Sequence, residues 1–406
     1  MEINFINKPK TKNNLEIKTK NGHQIIDINI KDVSNYDLDS LINNLKKFLD
    51  KNIKITFKNI SNEDAEVIIL KLNNITFSYT EPSKYNIPAY LTPLVKEVED
   101  YKRITIEPNK YQDTMLQYFI SKIPSNYTYK KFTVKKNDRL FPLTSAVGQG
   151  SSHKSYFIHI MPKKHNKSWD DIFMIGKCVT FDSGGMNLKT NHMHEMKTDM
   201  AGSAILMGTL NMTHQLPKNI NLLIPIVENY IGSEATRPST VVKTLNKHTV
   251  EINDTDAEGR LIIADAVEYF NKYLSKNLKN PLLLDVATLT GNSYYISSSV
   301  SCIIMGNEKS QKYLNDLFLC GERVKEFVDI LVLRENYGKF LESEVADIKN
   351  YSEECKAGSL MGGAFIEYFV NKKIPWVHLD VASVVYNKDK VSSFGINLLT
   401  KFLQTI

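Results

Sequence analysis

The stretch "NDTDAEGRLIIADAVEYF", residues 253–270, packs Asp254, Asp256, Glu258 and Arg260 into seven positions and then turns into an apolar rhythm. Carboxylates this close repel one another unless a cation holds them. Asp256, Glu258 and Arg260 are spaced by two. Residues two apart do not share a helix face, but in an extended segment they project to one side. The expectation is therefore an extended loop that delivers two carboxylates and a guanidinium to one spot before a helix begins. A solvated turn whose acids merely favour a helix start accounts for this stretch on its own.

Working outward, short apolar runs alternate with helical patterns from about residue 105 onward. "DIFMIGKCVTF", "INLLIPIVEN", "PLLLDVATLTG", "SCIIMGN" and "WVHLDVAS" have the continuous apolar character of strands buried on both faces. "EMKTDMAGSAILMGTLNMTHQ" and "RLIIADAVEYFNKYL" are the clearest helices. The alternation predicts an α/β fold: a C-terminal domain, residues 105–406, with a mixed, mostly buried sheet flanked by helices. Residues 1–104 predict a smaller N-terminal α/β domain. There "HQIIDINI" and "KNIKITF" alternate like strands, and "NYDLDSLINNLKKFLDK" and "NEDAEVIILKLNN" suit helices. Prolines and polar residues in "TEPSKYNIPAYLTP" mark the neighbourhood of the boundary.

Bulk properties narrow the function. Of the 406 residues, 42% are apolar and 24% charged, as in an ordinary soluble enzyme. The net charge of +6 comes from lysines scattered along the chain rather than gathered in a stripe, which speaks against nucleic acid as a partner. Cys178, Cys302, Cys320 and Cys355 form no close pair, which suits a reducing compartment and argues against a disulfide framework or a thiolate metal site. No run approaches the ~20 apolar residues of a membrane span, and the first residues carry no apolar leader core, so a cytoplasmic protein is expected.

Two more stretches bear chemistry. "GKCVTFDSGGMNLK" sets Lys177 and Asp182 around a short strand and a Gly-Gly turn, followed by Lys189. "HEMKTDMAGSA" sets Asp199 at the start of an apolar helix. Such strand–loop–helix junctions are where α/β folds place working residues. Asp182, Asp199, Asp256 and Glu258 together carry four negative charges if ionised, enough to balance two divalent cations. Carboxylates can bridge two ions ~3.5–4 Å apart, and hard oxygen donors suit Mn, Mg or Zn. A lysine joins such a site only as the neutral amine, a form that a nearby dication favours. Histidine offers no rival, since there is no HExxH and "HMH" at 192–194 is isolated.

The same stretches carry a family resemblance. "NDTDAEGRL" is similar to the NTDAEGRL signature of the leucyl aminopeptidase (cytosol aminopeptidase) family of di-metal exopeptidases. "AVGQGS" (146–151), "GKCVTFDSGGMNLK" (176–189), "MKTDMAGSA" (196–204), "RPSTVV" (237–242), "DVATLTG" (285–291), "VADIKN" (345–350) and "PWVHLDVA" (375–382) follow in the family's order. The resemblance implies that Asp182 and Glu258 bridge two metals, that Lys177 and Asp199 complete one site, and that Asp256 completes the other. It implies Lys189 as the group polarising the scissile carbonyl and Arg260 as the holder of a bicarbonate base. Met196, Thr288, Gly291 and Ala382 would line the pocket for the first side chain of the substrate, with plain core packing as the other account of those four.

The cofactors so implied are two divalent ions, Zn or Mn with Mg or Co as further options, and bicarbonate. The implied partners are peptide substrates and further copies of the chain in a homohexamer. A narrow dipeptidase acting on Cys-Gly, a DNA-binding role and a non-catalytic scaffold are the competing functions. Four departures from the family stand out. Asp254 replaces the usual Asn, adding a fifth acid that either points away from the metals or shifts their preference. Cys178 replaces a common Gly and is expected as a small buried residue. "KNYSEECKAGSLMGGAF" lacks the usual GGR-type run, and the N-terminal half is short and without visible match.

Overall fold

In the computed structural model, the described residues are 2–7, 14–20, 23–30, 53–58, 64–65, 68, 85–86, 92–387 and 390–406. Near the N-terminus, β1 (Glu2–Asn7), β2 (Asn14–Lys20), β3 (His23–Ile30), β4 (Ile53–Lys58) and β5 (Tyr85–Asn86) form one sheet in the order β2-β3-β1-β4-β5. Strands β3 and β4 fall where the alternating β-branched runs predict them. The helix expected in "NYDLDSLINNLKKFLDK" lies outside the described residues. Of the one expected in "NEDAEVIILKLNN", only Asp64, Ala65 and Ile68 are described, and these are helical.

The larger sheet has nine strands. In chain order they are β6 (Tyr127–Val134), β7 (Ser155–Pro162), β8 (Asp170–Gly176), β9 (Cys178–Asp182), β10 (Lys218–Asn229), β13 (Leu282–Ala287), β14 (Cys302–Gly306), β15 (Val328–Ile330) and β17 (Trp376–Asp380). Their order is β15-β14-β17-β13-β8-β10-β7-β6, and β9 continues β8 and pairs with the far end of β10. The central neighbours β17, β13, β8 and β10 run parallel, whereas β6 and β7 pair antiparallel at one edge and β14 pairs antiparallel with β17 near the other. A small second sheet joins β11 (Thr240–Lys243), β12 (Thr249–Ile252) and β16 (Ile348–Lys349).

The strands read as unbroken apolar runs because both faces are covered. Along β13, Leu282, Leu284 and Val286 pack into one core and Leu283 and Ala287 into the other, as the two-residue alternation of a strand requires. Helices α1 (Thr92–Ile106), α2 (Gln112–Lys122), α4 (Ala201–Thr213), α7 (Gln311–Val324) and α9 (Ile396–Thr405) cover the first face. Helices α3 (Pro142–Gly148), α5 (Glu258–Tyr269) and α8 (Gly358–Phe369) cover the second. Helix α4 is apolar almost all round and is buried nearly throughout, the burial expected of a helix without a polar stripe. Each fully buried Leu or Ile side chain there stabilises the fold by ~1.5–3 kcal/mol relative to exposure.

Helix α1 crosses the expected division at 104/105, and its Leu94, Val98, Tyr101 and Ile104 belong to the first core. The packed unit around the large sheet thus takes in residues from Thr92 onward. Among the described residues no helix is long and apolar enough to cross a membrane.

Candidate metal centre

The chain brings its acids together where the parallel strands end. Asp182 closes β9 and Asp199 follows a 3-10 turn, Met193–Thr198, just before α4. Glu258 opens α5. One carboxylate oxygen from each of Asp182, Asp199 and Glu258 lies within 4.8 Å of the others, and all three residues are buried.

Two lysines supply the counter-charge. Lys177 Nζ lies 2.8 Å from Asp199 Oδ1 and 2.8 Å from Glu258 Oε1, and it donates to the carbonyl of Thr288 at 2.8 Å. Lys189 Nζ lies 2.8 Å from Asp182 Oδ2 and 2.6 Å from Asp256 Oδ1. Burial disfavours the charged form of Lys177, but Asp199, Glu258 and Asp182 offset it and hold its pKa above the usual lysine value. Lys189 is raised in the same way by Asp182, Glu258 and Asp256. Burial pushes Asp182 and Asp199 up and Asp256 to about 7, while Lys177 and Lys189 outweigh burial at Glu258 and keep it low. A site that desolvates this many acids has room for more positive charge than two ammonium groups.

The residues fit divalent ions on a second count. Asp199 Oδ2 and Glu258 Oε2 are buried without a hydrogen-bond partner, a costly state that a cation relieves. Hard carboxylate oxygens are the donors that Mn, Mg and Zn accept. Residues Asp182, Asp199, Asp256 and Glu258 would hold such ions, with Lys177 at their edge.

Local sequence explains the placement. Gly184 and Gly185 take positive φ values of 87° and 63°, a conformation open to residues without Cβ, and so bend the chain back toward the acids. The Gly184 N–H donates to Asp182 Oδ1 at 2.9 Å. A Cβ on Gly259 would lie 2.7 Å from Lys177 Nζ, so glycine there lets the first turn of α5 close onto the lysine.

The extended presentation of Asp256, Glu258 and Arg260 is not what forms. Thr255 and Asp256 make a turn, and Glu258 and Arg260 already belong to α5. Glu258 meets Lys177, whereas Arg260 Nη1 donates to the carbonyl of Asn350 at 2.7 Å. The reason is local: Asp254 Oδ1 accepts the N–H of Asp256 at 2.8 Å, a side-chain turn that competes with a strand. That contact also answers what Asp254 does: one carboxylate oxygen shapes the turn. Arg260 is buried, and its Nε has no partner.

The four expected pocket residues are neither buried nor packed into either core. A Cβ on Gly291 would meet nothing within 4 Å, so the space beside it is open. Thr288 Oγ1 donates to Asp199 Oδ1 at 2.7 Å, and the N–H of Asp199 donates to the carbonyl of Met196. Asp380 Oδ1 accepts the N–H groups of Leu289, Thr290 and Ala382, and its Oδ2 accepts Thr290 Oγ1 at 2.6 Å. One pair of acids thus links the segments carrying Met196, Thr288, Gly291 and Ala382.

Sequence reading missed Asn229, Asn350 and Asp380. Asn229 Nδ2 donates to Asp182 Oδ1 at 2.7 Å and to the carbonyl of Thr255 at 3.0 Å. A lone Asn at a strand end carries no pattern that marks it, and Asp380 stands inside the matched "PWVHLDVA" without a role attached. Cys178 is fully buried on β9, its thiol pushed by burial up to about 12, as a small core residue would be.

Comparison with known proteins places the chain in a family. Residues 95–400 match the model of the cytosol aminopeptidase family, catalytic domain. A probable cytosol aminopeptidase of Rickettsia canadensis is 38% identical over 272 residues, covering 64% of this chain and 52% of that protein. Another, of Campylobacter jejuni, is 30% identical over 370 residues, covering 89% of this chain and 71% of its own length. The matched region thus spans about half the length of the Rickettsia relative. Among solved structures, the bottromycin maturation enzyme BotP in complex with Mn superposes with a TM-score of 0.83 at 18% identity, covering 99% of both chains, which shows a shared fold. With a family match over residues 95–400, the chain belongs to the cytosol aminopeptidase family.

Proposed function

We propose that the chain is a metal-dependent aminopeptidase that releases N-terminal residues, apolar ones such as Leu preferred, from peptides. The observation that carries this reading is the buried trio Asp182, Asp199 and Glu258, two of whose oxygens lack partners, with Lys177 and Lys189 beside them. Two divalent ions held there supply Lewis-acid activation of water and of the scissile carbonyl. Mn is a reasonable occupant, since the structural neighbour BotP is named as a complex with Mn; Zn, Mg and Co suit the same donors.

The chain's own groups then divide the work. Asp182 and Glu258 would be shared between the two ions, Asp199 and Lys177 would hold one of them and Asp256 the other. Lys177 serves as a ligand only after losing its proton, which the added positive charge drives. Lys189, the more exposed of the two lysines, donates to the carbonyl oxygen as negative charge develops there. Arg260, with its unpartnered Nε, offers a planar fork that would hold bicarbonate, and the chemistry such an anion would supply there is that of a general base. Met196, Thr288, Gly291 and Ala382 receive the first side chain of the substrate, and assembly as a homohexamer belongs to the same reading.

The test compares a peptide with a free N-terminal Leu against its N-acetylated twin, using Mn²⁺-loaded protein and mass-spectrometric readout. Stepwise loss of single residues from the free peptide, with the acetylated one intact, is the expected result. Equal cleavage of both peptides would exclude an exopeptidase that grips the α-amine.

A further inference from the structure

One side chain, 96 positions away in sequence, holds the turn that carries the acids. Asn350 follows β16 and is fully buried. Its Oδ1 accepts the N–H groups of Asn253 at 2.8 Å and Asp254 at 3.1 Å. Its Nδ2 donates to the carbonyls of Asp254 at 2.6 Å and Ala257 at 3.2 Å. A side-chain amide has two acceptor sites and two donor hydrogens, so Asn350 spends its full capacity on the segment between β12 and α5. Its backbone binds the same unit from both sides: the N–H donates to the carbonyl of Glu251, and the carbonyl accepts from Arg260.

The geometry points to Asn350 as the positioning residue that sets the 253–257 turn before any metal arrives, so that Asp256 and Glu258 need no rearrangement to bind one. This rests on the reading of the acids as a metal centre. Only an amide meets the requirement. An aspartate at 350 would face the carbonyls of Asp254 and Ala257 with an acceptor and bury a further charge beside five acids. An alanine would remove the partner of the Asn253 and Asp254 N–H groups and of the Ala257 carbonyl, and leave the Asp254 carbonyl only the longer bond from the Ala257 N–H. Pre-organisation of this kind is worth having because a site that orders on binding loses affinity to the cost of ordering. Outer-shell partners of metal ligands typically carry 10–100-fold in metal affinity or activity.

Two measurements on chelator-stripped protein test it, and neither uses turnover. Calorimetric Mn²⁺ titration of Asn350→Ala is expected to show affinity about 10–100-fold weaker than wild type, with Asn350→Asp weaker still. A variant that melts at lower temperature yet binds Mn²⁺ as wild type does would reduce Asn350 to a structural role and overturn the proposal. Hydrogen exchange on stripped wild-type protein needs no variant to fold. The amides of Asn253 and Asp254 are expected to be protected without metal, and their free exchange until Mn²⁺ is added would mean that the ion orders the turn. Failure of the aminopeptidase reading looks different, as intact Mn²⁺ binding without hydrolysis of any peptide.

Discussion

Glu258→Gln is expected to abolish activity at near-stoichiometric metal while the protein stays folded. The substitution keeps the shape of the side chain and removes its charge. Glu258 is 2% exposed, contacts Lys177 with Oε1 and leaves Oε2 unpartnered. The amide would still accept a hydrogen bond from Lys177, which also keeps Asp199 and the Thr288 carbonyl. What disappears is the anionic oxygen central to the cluster. Loss of a direct ligand should exceed the effect of an outer-shell partner, so metal affinity is expected to fall by more than about 100-fold. Calorimetric titration with Mn²⁺ beside a thermal melt checks both halves. Wild-type affinity in the variant would remove Glu258 from the ligand set.

Lys189→Ala has the second largest expected effect, and it separates chemistry from metal binding. Lys189 follows the Gly-Gly turn and bridges Asp182 and Asp256, with its side chain 17% exposed. With divalent ions bound, those acids no longer need its charge, and the ammonium is free to serve the substrate carbonyl. Removing a donor that acts on developing oxyanion charge commonly costs ~10²–10³ in kcat. That loss, with Mn²⁺ content unchanged, is the expected outcome of steady-state kinetics on the loaded variant. Arginine is not a substitute here, because its planar fork cannot take the place of a compact ammonium. A variant with unchanged kcat would show that Lys189 only balances charge.

The two variants also mark what could be read from the residues alone. The large sheet was legible because buried parallel strands are rich in apolar residues on both faces, as in β10 and β13. The acids were legible because they cluster in short motifs at strand ends. The direction of the 253–260 segment was not, since spacing by two describes a strand equally well until Asp254 is seen to close a turn onto Asp256. Asn350 ends the matched "VADIKN", yet its role was not legible, for a deeper reason. Its four hydrogen bonds reach three residues more than ninety positions away, and a neutral side chain announces no chemistry until the fold brings it to them. Neither β6 nor its neighbour β7 was among the expected strands: β6 is mostly exposed and lacks an apolar run, whereas β7 is buried over most of its length and carries one.

If the acid cluster works through divalent metal on the N-terminal residue of a peptide, turnover must follow the metal. The most direct test follows hydrolysis of a fluorogenic Leu-amide by chelator-stripped protein, before and after adding back Mn²⁺, Zn²⁺ or Co²⁺. No turnover after stripping, and recovery with at least one of these ions, is the expected result. Full activity in the stripped protein, or none with any ion across a panel of N-terminal residues, would contradict it.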